Sequence, residues 1–240
     1  MSFDIFEYTN KGGRSYNEDS IDYITAGDSG IFVVADGLGG HQYGDKASGC
    51  VCDSLINGWN GSFGGSTTEW LKERIALANT NVLALQKEMN AILKSTVVVL
   101  AIDNNVANWA NVGDSRLYFF RDGRIADYTN DHSVAFKKYR AGEITREQIA
   151  VDEDQSSLLK SVGSEDRSEP EIYDRNIMLE PGDAFLLCSD GVWEYLMDEE
   201  IAIDLLKSDD SKEWAELLLT RLMGRIDGTN DNLSLLAIRI

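Results

Sequence analysis

The sequence predicts an α+β fold: two stacked antiparallel β-sheets flanked by pairs of α-helices, a four-layer sandwich. Two observations carry this prediction. Strand-like segments come in runs instead of alternating one for one with helices, which disfavours a doubly wound parallel sheet. Helix-like segments come in pairs, one pair after the third strand and one near the C-terminus, so each pair can cover one sheet. Of 240 residues, 43% are hydrophobic and 26% charged, enough apolar surface for one large core. Only Pro170 and Pro181 interrupt the chain as prolines, and no linker or internal repeat divides it, so residues 1–240 are expected to form a single domain.

Residues 2–9 and 20–26 alternate apolar and polar side chains with the period of a half-buried strand. GIFVVAD, 30–36, is continuously apolar, as a central strand would be, and is expected to end at Asp36 before a glycine-rich loop. Two helices follow, at 45–59 and 67–93, where Ala, Leu, Ile and Val recur every three or four positions. Residues 95–129 read as a β-meander, with turns at Asp103-Asn104-Asn105 and Asp122-Gly123, where such residues accept positive φ at low cost. The stretch from about 132 to 162 is polar and helix-prone, an excursion from the sheet. Strands are expected at 171–179 and 183–190. A helix then starts with Asp198, Glu199 and Glu200, acids suited to a helix N-terminus. A second has Ser211 placed as its N-cap, and the chain closes on the strand NLSLLAIRI.

Composition narrows the function classes. A net charge of −19 argues against a nucleic-acid partner or an anionic membrane surface, because phosphate groups would be repelled over most of the molecule. The N-terminus MSFDIFEYTN has no basic region, and the longest apolar runs, TVVVLAI and AFLLC, are too short to cross a bilayer. A cytoplasmic protein is therefore expected. Cys50, Cys52 and Cys188 are an odd number in a pattern that fits no zinc or redox signature, and they read as buried small hydrophobes in a reducing compartment.

The stretch IFVVADGLGGHQYGDKAS places one acid, Asp36, between an apolar strand and Gly37, Gly39, Gly40 and Gly44. A capping acid before a flexible turn would explain it alone. Three more aspartates repeat the situation: Asp190 ends AFLLCSD, Asp114 sits in ANVGDSR, and Asp231 precedes the last strand. Aspartates at buried strand ends are rare unless paired or metal-bound. If the strands are neighbours, the carboxylates converge, and hard oxygen donors without histidine or thiolate select magnesium, manganese or calcium. Gly37 could then turn its carbonyl inward as a ligand. Near the N-terminus Arg14 is followed by Glu18 and Asp19: a guanidinium suited to a phosphoryl group, and acids able to hold metal-bound water.

RSYNED, VVADGLGGH, STVVV, ANVGDSR, TNDHS, LLKSVG, LEPGDAFLLCSDGVWE and DNLS occur in that order between residues 14 and 234. In these blocks the chain resembles the metal-dependent serine/threonine protein phosphatases, the PPM or type 2C class, and especially its bacterial members. The resemblance implies the four-layer fold and the hydrolysis of phosphoserine and phosphothreonine, by attack of a metal-bridging hydroxide at a centre of two Mn²⁺ or Mg²⁺ ions roughly 3.5–4 Å apart. It makes Asp36 the bridging carboxylate, Asp190 and Asp231 ligands of the first ion, and the Gly37 carbonyl a ligand of the second. Glu18 and Asp19 match acids that coordinate metal or its waters, Arg14 matches the arginine that grips the phosphate, and Asp114 matches the acid of a third, weaker site shared with Asp190. The implied partners are phosphorylated proteins, substrates of a serine/threonine kinase, with no nucleic acid or membrane, and the protein is expected to be a monomer.

Some relatives carry a histidine two positions after the bridging aspartate, where this chain has Leu38; His41 and His132 read more simply as structural. SLLK at Ser157 and the GLGGHQ loop mimic other motifs, but no K-T-G exists and Gln42 replaces the last glycine of a dinucleotide loop. The excursion at 132–162 matches a variable flap and is expected to shape substrate preference. Two other functions fit the same residues: a non-catalytic phosphoprotein-binding module, and a hydrolase of small phosphoesters.

Overall fold

In the computed structural model, which describes residues 2–39 and 43–240, the chain opens with three strands: β1 (Asp4–Asn10), β2 (Asp19–Ala26) and β3 (Ser29–Gly39). Helices α1 (Gly44–Ile56) and α2 (Thr67–Met89) follow. Then come β4 (Leu93–Ser95), β5 (Val97–Asp103), β6 (Val106–Val112), β7 (Arg116–Arg121) and β8 (Arg124–Tyr128). The excursion holds α3 (Val134–Ala141) and a short 3-10 turn, Ile149–Val151. The last third contains β9 (Glu171–Met178), β10 (Ala184–Cys188), α4 (Asp190–Trp193), α5 (Asp198–Lys207), α6 (Ser211–Met223) and β11 (Leu233–Arg239).

One sheet has the order β1-β11-β10-β7-β8 and the other β2-β3-β5-β6-β9, with β4 paired to β3; each pairing between these strands is antiparallel. Helices α1 and α2 cover the second sheet, and α5 and α6 pack on the first. The four layers expected from the sequence are therefore present. Strand period explains why GIFVVAD is continuously apolar: Phe32 and Val34 face the core between the sheets, while Ile31, Val33 and Ala35 face α1 and α2. Phe119, Phe185, Trp109 and Leu236 fill the inter-sheet layer, and Phe120, Leu186, Trp214 and Leu235 fill the layer under α5 and α6.

Several boundaries differ from the sequence reading for physical reasons. β3 does not end at Asp36; it runs on to Gly39, and Gly37–Gly39 pair with β4. The second helix stops at Met89 because Asn90 takes a left-handed conformation, φ 48°, which frees Leu93–Ser95 to form β4. The meander is divided: β5 and β6 belong to one sheet and β7 and β8 to the other, with the crossing at Gly113–Ser115. Its two tight turns are as expected, with positive φ at Asn104, Asn105, Asp122 and Gly123. The N-cap of α6 is Asp210, whose carboxylate accepts from the Glu213 N–H at 2.7 Å, while the Ser211 hydroxyl donates to the Asp4 carbonyl. The three cysteines are free, with Cys52 and Cys188 buried and Cys50 half-buried.

Two outcomes follow. Phe185 is fully buried and stacks on Phe119 at 4.9 Å. Phe185→Ala should cost about 3–5 kcal/mol in urea unfolding. Glu200 of α5 takes two hydrogen bonds from the Arg225 guanidinium, 2.5 and 2.6 Å, which hold its carboxyl down at about 2. A depressed folded-state value stabilises the fold above the ordinary carboxylate range, and this contribution is lost as pH falls through about 2. Glu200→Gln should cost about 1 kcal/mol near neutral pH, and the difference from wild type should close on acidification.

Candidate functional site

Two sheets bring their acids together at one end of the sandwich. β2 and β3 place Asp19 opposite Asp36. The Asp36 backbone is held on both sides: its N–H donates to Thr96 Oγ1 at 3.0 Å, and its carbonyl accepts from the Thr96 N–H at 2.8 Å and the Ser95 hydroxyl at 3.0 Å. The Gly37 N–H donates to the Glu18 carbonyl at 3.0 Å. A Cβ on Gly37 would lie 2.1 Å from the Gly44 carbonyl oxygen and 2.5 Å from that of Glu18. Glycine is thus required there by close approach of backbones and not by a turn.

The other sheet supplies Asp190, the first residue of α4 after β10, and Asp231, just before β11. Ser189, also at the end of β10, donates its hydroxyl to Asp19 Oδ2 at 2.9 Å and so joins the two sheets at the acids. Asp36 and Asp190 lie within hydrogen-bond reach of each other. Asp231 accepts from the Asn232 N–H through Oδ1 at 2.8 Å and from Arg14 Nη2 through Oδ2 at 2.6 Å. The loop bearing Arg14 is pressed against the residues before Asp231: the Gly13 N–H donates to the Asn230 carbonyl, and a Cβ on Gly13 would lie 2.3 Å from the Gly228 carbonyl oxygen. Asn232 organises the same loop, donating to the carbonyls of Lys11 and Tyr16 and accepting from the Glu18 N–H. The Glu18 carboxylate itself is turned to the start of α1, where it accepts from the Gly44 N–H at 2.8 Å.

Asp114 is buried in the crossing between the sheets. The Gly113 N–H donates to His132 Nδ1 at 3.1 Å, and the Gly113 carbonyl accepts from the His132 N–H at 2.9 Å. With Nδ1 accepting, the ring proton sits on Nε2, which faces Glu171 at 3.4 Å. His132 is thus a brace for the Asp114 turn, as the structural reading expects; His41 lies outside the described residues. From the other side Trp193 Nε1 donates to the Asp114 carbonyl at 2.9 Å, and the Arg116 guanidinium, paired to both oxygens of Asp131, lies 3.5 Å from the Trp193 ring.

Gathering these carboxyls out of water moves their protonation. Burial and the other acids push Asp36 and Asp114 well above the usual carboxylate range, raise Asp19 to about 7, and raise Asp190 to about 6. Glu194, one helical turn beyond Asp190, is raised to about 8 by burial and by Asp190 and Asp231. Among the described residues, no three His, Cys, Asp or Glu side chains are arranged to hold a metal ion as they stand: Arg14 occupies Asp231, and Asp36 and Asp190 face each other. The donor set nevertheless fits a hard divalent cation. Asp19 Oδ1 and Asp190 Oδ1 are buried with no hydrogen-bond partner among the described residues, which is costly for anionic oxygens unless a cation serves them.

The structure therefore assembles Asp19, Asp36, Asp190, Asp231 and Arg14, sets Asp114 close enough to raise its carboxyl jointly with Asp190, and leaves Glu18 at the rim as a helix cap. Sequence reasoning missed Glu194, Thr96, Ser189 and Asn232. Glu194 had a usable signal, four residues after Asp190 on a helix-forming segment; the polar residues had none beyond their place inside apolar strands.

Residues 10–229 match the family described as Protein phosphatase 2C. Serine/threonine phosphatase stp of Listeria welshimeri is 32% identical over 233 residues, 94% of this chain and 90% of that protein. The serine/threonine phosphatase of S. agalactiae has a similar structure, TM-score 0.85 at 27% identity, over 100% of both chains. The serine/threonine phosphatase PstP/Ppp of Mycobacterium tuberculosis gives a TM-score of 0.85 at 26% identity, over 99% of this chain and 98% of that one.

Repulsion within the acid group makes one prediction independent of any activity. In the presence of a chelator and at slightly alkaline pH, Asp190→Asn should unfold at higher urea than wild type, by about 1 kcal/mol, because it removes one desolvated charge.

Proposed function

We propose, because this chain belongs to the protein phosphatase 2C family, that it hydrolyses phosphoserine and phosphothreonine in proteins at the acid group between its sheets. The observation that carries the assignment of the site is the pair of carboxylate oxygens on Asp19 and Asp190 that are buried and unpartnered among the described residues, set beside Asp36 and within reach of Arg14. Asp36, Asp190 and Asp231, with the Gly37 carbonyl and with Asp19 and Glu18 around them, would hold two Mn²⁺ or Mg²⁺ ions; Asp114 and Asp190 would hold a third more weakly. Bound there, such ions supply the positive charge and Lewis acidity that make water nucleophilic near neutral pH.

The chain's own residues do the rest. Arg14 presents a planar fork of donors suited to a phosphoryl group. Its side chain is 59% exposed and, among the described residues, is tethered through Asp231, so it can exchange a carboxylate for an incoming phosphate. Asn232 and Gly13 keep that loop seated, and Thr96 keeps Asp36 in register with β5. Leu38 has no ionisable proton to give, and both ring nitrogens of His132 are engaged, so neither protonates the leaving oxygen. Cys188 is no alternative nucleophile: burial pushes its thiol far above the usual range. We assign the whole of residues 1–240 to this one domain, acting as a cytoplasmic monomer on substrates of serine/threonine kinases. The unpaired cysteines support a reducing compartment, and no described helix is long and apolar enough to cross a membrane.

Turnover of a phosphothreonine peptide tests the assignment. Phosphate release should require Mn²⁺ or Mg²⁺, stop with chelator, and fall at least about 100-fold in Asp190→Asn. Arg14→Ala should lower kcat/KM by about 2 kcal/mol, roughly 30-fold. Peptide binding without release of phosphate, or release indifferent to chelator, would overturn it.

A further inference from the structure

A cavity of about 380 Å³ lies where the excursion at 132–162 meets the turn after α4. Ala150 and Val151 line it from the excursion, Trp193 from the end of α4 and Met197 from the turn that follows. Val151 is 82% exposed and Met197 56%, an unusual degree of exposure for apolar side chains that face a concavity. Glu194 belongs to the same wall and stands one helical turn, about 5–6 Å, past Asp190. It also accepts a hydrogen bond from Gln155, which ties the excursion to α4 at this point.

The charges in the wall are unequal once pairs are removed. Arg116 is matched by Asp131, Arg146 by Asp198, and Arg225 by Glu200. The terminal nitrogens of Arg146 are buried, and its guanidinium lies 4.2 Å from the Tyr128 ring, so it offers no accessible donor to an anion in the cavity. Glu147 and Glu199 are exposed, line the cavity and have no ion-pair partner among the described residues. An apolar wall with an uncompensated acidic mouth, on a molecule of net charge −19, complements one kind of side chain: a long alkyl stem ending in a cation.

We propose that this cavity is a subsite for a lysine or arginine side chain of the phosphoprotein substrate, an inference that rests on the phosphatase reading. An extended peptide advances about 3.3–3.6 Å per residue. With its phosphorylated residue at Asp36 and Arg14, a side chain about two or three positions away reaches the cavity. The stem lies along Val151 and Met197, and the head group meets Glu147 and Glu199.

The experiment is a set of phosphothreonine peptides in which each position flanking the phosphothreonine carries Arg, Ala or Glu in turn, with kcat/KM measured in Mn²⁺. At one position Arg should exceed Ala by about fivefold and Glu by more, and the advantage should shrink as salt is added. In Glu147→Gln/Glu199→Gln the ratio of Arg to Ala peptide should fall toward one. A flat series, a preference for Glu, or an Arg preference unchanged in the double variant overturns the subsite while leaving the phosphatase reading intact. Failure to release phosphate from every peptide overturns that reading, and the subsite with it.

Discussion

Mutual repulsion among crowded, buried or half-buried carboxylates is the constraint around which this molecule is built. Asp19, Asp36, Asp114 and Asp190 sit where water is scarce and other acids are close, and each is pushed above its ordinary ionisation range for that reason. Such a group costs stability, so the surrounding fold has to hold it in place. Thr96 grips the backbone of Asp36 from both sides, Ser189 caps one oxygen of Asp19, and Arg14 neutralises Asp231. One oxygen each of Asp19 and Asp190 is left buried with no hydrogen-bond partner among the described residues.

Why two sheets are needed follows from the same group. No single strand pair could bring four acids together from residues so far apart in sequence. β3 contributes Asp36 and β2 contributes Asp19, while Asp190 at the start of α4, just after β10, and Asp231, just before β11, come from the opposite sheet. Stacking the sheets through Phe32, Trp109, Phe119 and Phe185 fixes the distance between the two halves of the site. The packing core and the acid group therefore depend on one interface, and rigidity in the first is what positions the second.

The start of the excursion has a double role. Asp131 and His132 brace the turn that carries Asp114, one through Arg116 and Trp193 and the other directly through Gly113. Farther along, Gln155 reaches Glu194 beside the acid group. The excursion is thereby tied at two points, through His132 to the Asp114 turn and through Gln155 to Glu194, so its fold is coupled to that of the acid group.

Apolar patterning and turn residues were enough to read most strands, both helix pairs and their stacking, because these depend on local periodicity and on the need to bury one face of each element. The recurrence of Asp36, Asp114, Asp190 and Asp231 beside apolar strands likewise pointed to acids that meet in space, since unpaired acids in such places are costly. Only the tertiary structure decided that β3 continues through its glycines, that the meander divides between sheets, that Glu18 caps α1, that His132 braces a turn, and that Glu194 joins the acids. Each of these depends on which backbone lies opposite which, a property of contacts between residues distant in the chain, and no local pattern encodes it.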